Sequence, residues 1–233
     1  QQWTKDFKDI WINNKDKFFS RFGNQNRNAE GFETEILKYK DFQHRIQNVE
    51  PTKIISYLQL DSAPLKLNLI MECNSWQNKL LEMLHSIAKK ELFKLYETFD
   101  ENTALLNQEP ANLEMLEEKI RHVSKQMTEY PKHEQQFQPI GERYDLLKKY
   151  DVAISEIEIE RRMNLKETGE KFKKTIEDAQ NSLEGDKDKF RIRLKASVDV
   201  FSQNVTNLKS DFTAKGPYTA NFTVKQALNL LRD

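Results

Sequence analysis

The side chains that could bind a metal or act as a nucleophile are few and scattered in this chain. The sequence has four histidines and one cysteine, namely His44, His85, His122, His133 and Cys73. No histidine has the second histidine four residues away, or the neighbouring cysteine, that a zinc site needs. No base beside Cys73 in the sequence would activate its thiol. We therefore predict no metal site and no catalytic residue, and we expect Cys73 to be a small buried residue.

Phosphate-binding and acid–base motifs give no stronger signal. The sequence lacks the G-x-x-x-x-G-K-[ST] loop that holds nucleotide phosphates, so this stretch should not bind or hydrolyse ATP and needs no cofactor of its own. Acidic groups such as Glu117-Glu118 have Lys and Arg nearby at helical spacing, which is typical of solvated helix faces. Lys171, Lys173 and Lys174 are candidates to contact an acidic partner, with a solvated helix face as the competing interpretation.

The balance of charge argues against two classes of partner. Lys and Arg together number 37, and Asp and Glu together also number 37, so the net charge is zero. Proteins that bind nucleic acid or membrane surfaces usually carry a basic excess, so we expect neither partner. A single cysteine excludes a disulfide within the chain and fits a reducing compartment.

We expect helices to be the elements that position the side chains of this chain. Only 6 Gly and 6 Pro occur, and most lie between stretches in which apolar residues recur every three or four positions. Four such stretches stand out: Trp3, Phe7, Trp11, Phe18 and Phe22; Leu81, Leu84, Ala88, Leu92, Leu95 and Phe99; Leu113, Leu116, Ile120, Val123, Met127 and Tyr130; and Phe190, Leu194, Val198, Phe201, Val205, Leu208 and Phe212. Their lengths predict an all-α, elongated fold of successive antiparallel helical bundles.

Turn and capping signals divide the helices. We predict a loop over 23–31, a break at Pro51, an extended strand or a buried linker over 54–60, a helix end at Pro131 and a turn at Gly185-Asp186. Asp61 to Pro64 predicts a helix start, with that helix reaching about Asp100. Either Glu109-Pro110 or Asn112 opens the next helix, and Ser155 with Glu158 is a possible capping box. Three segments follow: a helical hairpin over 1–50, a helical bundle over 51–131 and a second bundle over 132–233.

One block resembles a known family. Phe137, Pro139, Ile140, Tyr144, Leu147 and Tyr150 match the pattern F-x-P-I-x-x-x-Y-x-x-L-x-x-Y. A helix pair follows, with Phe212 and Gly216-Pro217 at its end. This order is similar to the dynein heavy-chain tail just before and into the linker. Upstream, Phe32 to Tyr39, and Leu60 to Lys66 followed by Cys73 and Trp76, look like tails of axonemal heavy chains.

That resemblance implies a structural role. The three segments become a tail hairpin, a tail bundle, and a linker-proximal bundle with the start of the linker. The chain, expected to be an excerpt, would transmit force in a microtubule-based motor of ciliary beating, with ATP and Mg²⁺ bound elsewhere in the parent chain. Its implied partners are intermediate or light chains, neighbouring heavy chains and, through the complex, microtubules. Its implied location is the cytoplasm, the cytoskeleton and the axoneme of the cilium.

The resemblance also assigns candidate roles to residues. Candidate packing anchors are Phe137, Ile140, Tyr144, Leu147, Tyr150 and Phe212. The discrete breaks at Pro51, Pro131, Gly216 and Pro217, and not the resemblance, supply the candidate hinges. One position departs from the family, which often has Trp where Gly169 precedes Lys171-Phe172, and this weakens one anchor. A standalone spectrin-like scaffold or tether is the rival hypothesis, because it explains the periodicity equally well.

Overall fold

The computed structural model describes residues 14–24, 28–215, 223–225 and 228. Six helices and one hairpin follow in order: α1 (Lys15–Asn24), α2 (Ala29–Gln47), β1 (Thr52–Ile55), β2 (Leu58–Asp61), α3 (Ala63–Leu106), α4 (Leu113–Glu134), α5 (Phe137–Lys149) and α6 (Glu156–Lys215). The all-α fold class is confirmed, with only the small hairpin as an exception. At 44 and 60 residues, α3 and α6 are about 66 and 90 Å long.

Asparagine side chains begin three of these helices. Asn14, Asn28 and Asn112 each accept a hydrogen bond from the backbone N–H three residues ahead, at 2.8–3.1 Å. This satisfies one of the four N–H groups that every helix start leaves without a partner. α3 begins as the sequence predicts, since Ala63 N–H donates to Asp61 Oδ1 at 2.8 Å and Pro64 occupies the first turn.

A continuous apolar core joins the helices. Residues from Phe19 in α1 to Leu183 in α6 form one buried cluster, to which α2, α3, α4 and α5 also contribute. In its N-terminal part, Trp76 stacks on Tyr39 with ring centroids 5.0 Å apart. In its C-terminal part, Phe99 stacks on Phe172 at 4.7 Å. The core therefore includes side chains from all three predicted segments, whose boundaries remain predictions.

The chain is more helical than its turn and capping signals predicted. The predicted loop over 23–31 is shorter, since only residues 25–28 separate α1 from α2 and Gly31 lies inside α2. α3 continues to Leu106 instead of ending near Asp100. The predicted helix end at Pro131 is wrong: Pro131 lies inside α4, which ends at Glu134. Proline lacks the N–H that would donate to Met127, but its carbonyl still accepts from Gln135 N–H at 3.1 Å, so the helix continues.

One further prediction is wrong, since the predicted turn at Gly185-Asp186 is absent and α6 is continuous from Glu156 to Lys215. Of the two alternatives over 54–60, the extended one is confirmed. The segment is not a buried linker but an antiparallel hairpin, in which Ile54 pairs with Gln59 and Ser56 takes a positive φ of 54° at the turn. Its side chains are exposed, with Tyr57 fully so. The aromatics Trp3, Phe7 and Trp11 and the stop at Gly216-Pro217 lie outside the described residues.

Candidate functional site

Helix α5 is wedged between the long helices. Ile140, Tyr144 and Leu147 are buried on its inner face, at 0–4% exposure. Phe137 and Tyr150, at its two ends, are partly buried and pack against the same core. Four of the six predicted anchors thus lie on α5, and a fifth, Tyr150, is the residue directly after it. This helix contacts α2, α3 and α6.

Phe212, the sixth predicted anchor, does not belong to this core. It is 45% exposed near the C-terminal end of α6. The reason is the relative length of the helices. Lys119, six residues into α4, pairs with Asp186 at 3.2 Å, so α4 begins only about two turns beyond that level. Phe212 lies about seven turns farther along α6 than Asp186.

Gly169 makes room for Phe137. A Cβ atom at position 169 would lie 2.5 Å from Cζ and 2.6 Å from Cε2 of the Phe137 ring. These distances are far below van der Waals contact, so the ring occupies the space that a larger residue at 169 would fill. The predicted weakening of an anchor at Gly169 therefore leaves no void, because Phe137 fills this space from α5.

Glu158, in the first turn of α6, lies where α6 meets α3 and α5, and its side chain makes four polar contacts there. Its carboxylate is 1% exposed. Lys89 Nζ (3.0 Å) and Ser155 Oγ (2.9 Å) donate to Oε1. His85 Nε2 (2.8 Å) and Tyr144 Oη (3.2 Å) lie against Oε2. The four partners fill the hydrogen-bonding positions of a carboxylate and join the start of α6 to α3 and α5.

These contacts set the ionisation states of Glu158 and Tyr144. Burial alone would raise the pKa of Glu158, but hydrogen bonds from Lys89, His85 and Ser155 outweigh it and lower the pKa to about 2. Burial, together with the negative charge of Glu158, raises the pKa of Tyr144 well above its usual range. At neutral pH the junction therefore holds an ionised carboxylate and a neutral phenol. With both groups occupied in holding helices, the arrangement is structural.

Ion pairs surround this junction. Arg143 pairs with Glu91, Lys149 with Glu33, and Arg162 with Asp145, which connects α5 to α3, α2 and α6 respectively. The Arg143 side chain is 7% exposed, so that pair is the one least weakened by water. The capping-box pattern pointed to Ser155 and Glu158. It gave no signal for their partners on α3, because those lie about seventy residues away in sequence.

The remaining candidates for chemistry are dispersed. Cys73 is buried, and burial and the charge of Glu72 raise its pKa to about 11, so the thiol is not activated. Burial lowers the pKa of His122 and His133, which favours neutral rings. Among the described residues no group of three His, Cys, Asp or Glu side chains could hold a metal. Over the same residues, no helix has an apolar stretch that could span a membrane.

The basic run on α6 is solvated. Lys171 pairs with Glu167 of the same helix at 2.8 Å, and both side chains are largely exposed. Beyond the bundle, α6 carries a second exposed feature, the distal stripe, defined as Leu194, Val198, Phe201, Val205 and Leu208. Their exposure ranges from 47% to 71%. The stripe is apolar as predicted, but its residues do not belong to the core that the described residues form.

Comparison with known proteins places the chain. The sequence model of the family described as "Dynein axonemal heavy chain 2/5/8 coiled-coil" matches residues 78–197. The chain is similar to Dynein axonemal heavy chain 2 of Mus musculus (29% identical over 223 residues, 96% of this chain) and of Homo sapiens (31% over 228 residues, 96%). It is also similar to the Dynein-1-beta heavy chain, flagellar inner arm I1 complex, of Chlamydomonas reinhardtii (28% over 230 residues, 99%).

The match covers a small part of each relative. The chain spans 5% of the length of these three proteins. The matched stretch contains the Phe137 to Tyr150 block and most of the packed part of α6, so the predicted resemblance and its axonemal type are both confirmed. On the match over residues 78–197, the chain belongs to the axonemal dynein heavy-chain family.

Proposed function

We propose that this chain is a force-transmitting part of an axonemal dynein heavy-chain tail. The observation that carries the proposal is the continuous core that runs along α3, α4 and α6 over residues of widely separated sequence position. Helices packed along their length resist bending, because bending one must displace side chains interlocked with its neighbours. Such a body can pass a load from one end to the other.

The parent protein would be the motor. We assign ATP hydrolysis, with its ATP and Mg²⁺, to other regions of the heavy chain, and movement along microtubules to the assembled complex. The partners would be intermediate or light chains and neighbouring heavy chains of the axoneme of a cilium. The names of the relatives support this setting, since they include axonemal chains and a flagellar inner-arm complex.

Pro131, Gly216 and Pro217 remain the proposed hinges. Pro131 removes one hydrogen bond from the interior of α4, which lowers the resistance of that turn to bending. Particle images of the heavy chain in different nucleotide states would test this. Variable angles at these positions support the hinges, and one fixed angle contradicts them.

A loaded-motility experiment tests the function. In the full heavy chain, Phe99→Ala with Phe172→Ala removes a stacked pair from the core, while Glu177→Ala changes only an exposed side chain of α6. We expect the double variant to keep its ATPase rate within about twofold but to stall at a lower force in an optical trap. Glu177→Ala should match the wild type. An unchanged stall force in a double variant shown to melt earlier would overturn the proposal.

A simpler experiment separates this function from the spectrin-like scaffold. The transcript should continue past the codon for Asp233 into several nucleotide-binding motifs of an AAA+ array. A reading frame that closes soon afterwards without such motifs would remove the motor setting and leave the scaffold as the better account.

A further inference from the structure

A groove runs along the outer side of the α5–α6 junction. Three adjoining depressions form it, of which the two larger have volumes of about 820 and 510 Å³. The first and second share Asp145, Arg162 and Met163, and the second and third share Ile159 and Met163. We call this surface, with Gly141 on its α5 side, the α5–α6 groove.

The groove is apolar at its centre. Met163 is 70% exposed and Ile159 is 45% exposed, and they lie one turn apart on the same face of α6. Phe137 and Leu165 line the wall behind them. An exposed methionine beside other apolar groups suits a surface that packs against a partner helix, because its thioether chain adapts to different shapes.

The rim of the groove is acidic. Seven acidic and three basic residues line the three depressions, although the whole chain is neutral. Arg162 and Asp145 pair with each other, which leaves six acidic residues and two lysines along the groove. Glu142 on α5 lines the first depression, and Glu160 on α6 lines the third. A partner with positive charges flanking an apolar face would meet complementary charge on both helices.

Gly141 provides an independent observation. It lies in the interior of α5, where glycine costs about 0.5–1 kcal/mol relative to alanine. A Cβ atom at this position would have no neighbour within 4 Å, so no contact among the described residues requires glycine here. Its position on the groove wall has a direct use, since a residue without a side chain lets another backbone approach closely.

We propose that the α5–α6 groove binds a basic amphipathic helix of a partner protein, with the apolar face of that helix on Met163 and Ile159 and its backbone close to Gly141. The groove follows α6 from Glu156 to Glu170, about 21 Å along the axis. This is the binding mode in which a helix lies in a groove between two others. It goes beyond the mechanical function and does not depend on it.

Peptide binding to the 233-residue chain tests the proposal. The probes are two labelled 18-residue amphipathic helices, one of Leu and Lys and one of Leu and Glu, measured by fluorescence anisotropy at about 0.15 M salt. We expect the Leu/Lys helix to bind at least tenfold more tightly. Gly141→Leu should weaken that binding at least tenfold without lowering the melting temperature. Equal binding of the two peptides, or binding that Gly141→Leu leaves unchanged, would overturn the proposal.

A matched pair of charge reversals shows where the peptide binds. The turn between α3 and α4 offers a competing acidic surface, since residues 95–118 contain seven acids and no Lys or Arg. Glu142→Lys with Glu160→Lys should abolish the preference for the Leu/Lys helix. Glu114→Lys with Glu117→Lys, at the competing surface, should retain it, and the reverse result contradicts the groove. If the chain self-associates and Gly141→Leu abolishes this self-association, the occupant of the groove is a second copy of the chain. That result would overturn the proposal of a separate partner protein.

Discussion

At the scale of single residues, Gly169 and Phe137 illustrate how one position compensates for another. The Phe137 ring occupies the space next to the α6 backbone at Gly169. A side chain at 169 and the ring at 137 therefore compete for the same volume. The resemblance to the family predicts a weakened anchor at Gly169, because the residue that fills the space lies on a different helix.

A double-mutant cycle tests this competition. Gly169→Ala should destabilise the chain by about 1 kcal/mol, because overpacking exceeds the gain in helix propensity. In a Phe137→Leu background the same change should become neutral or stabilising. Chemical denaturation of the four proteins gives the coupling energy. A stabilising Gly169→Ala in the wild-type background would show that the ring moves aside at no cost.

Glu158 predicts a specific pH dependence. Its pKa in the folded chain is about 2, below the ordinary value of 4.5, so its contribution to stability is present above pH 4.5. That contribution is lost as the pH falls towards 2, because the unfolded chain takes up the proton first. We expect Glu158→Gln to cost about 2 kcal/mol at pH 7, where buried charge-assisted hydrogen bonds are lost, and much less near pH 2.

The matched control for Glu158 lies two residues away. Glu160 is exposed on the same helix, so Glu160→Gln should leave both stability and its pH dependence nearly unchanged. Urea denaturation from pH 7 down to pH 2 measures both variants. A Glu158→Gln protein whose stability loss is the same at every pH would mean that the charge of Glu158 is not what holds α6 to α3.

At the scale of elements, α6 is where continuous helix replaces a predicted turn. Gly185 is a helix interior residue, and a Cβ atom there would meet nothing within 4 Å. Gly185→Ala should therefore stabilise the chain by about 0.5–1 kcal/mol, or raise its melting temperature by a few degrees. Gly185→Ala and Gly169→Ala should therefore change the free energy of unfolding in opposite directions, and measuring both variants tests this contrast. A destabilised Gly185→Ala variant would favour the turn after all.

Local sequence signals located helix starts better than helix ends. Asn112, Asp61 and Ser155 were identifiable because capping depends on one side chain and the next three residues. Pro131 and Gly185 were misjudged because neighbouring helices hold the chain helical through them. The buried position of α5 residues such as Tyr144 was predictable from spacing. Their contact with Glu158 was not, because it depends on which helices meet.

At the scale of the whole molecule, α6 has two parts with different surroundings. Its first half is packed, with Leu165, Phe172, Ile176, Ala179 and Leu183 in the core. Its second half bears the distal stripe, whose side chains are exposed. The periodic pattern is equally regular in both halves. Periodicity therefore predicts which face of a helix is apolar, but not which part of that face finds a neighbour.

Truncation separates these two halves. A chain that ends at Lys195 keeps every residue of the core and the Lys119–Asp186 pair, so its melting temperature should stay within about 2 °C of the original. Its helical circular dichroism should fall, because residues 196–215 are removed. A chain that ends at Asn181 loses buried Leu183 and Asp186 as well, and should melt several degrees earlier. If ending the chain at Lys195 lowered the melting temperature as much as ending it at Asn181, the distal half of α6 would have to pack against the bundle in solution.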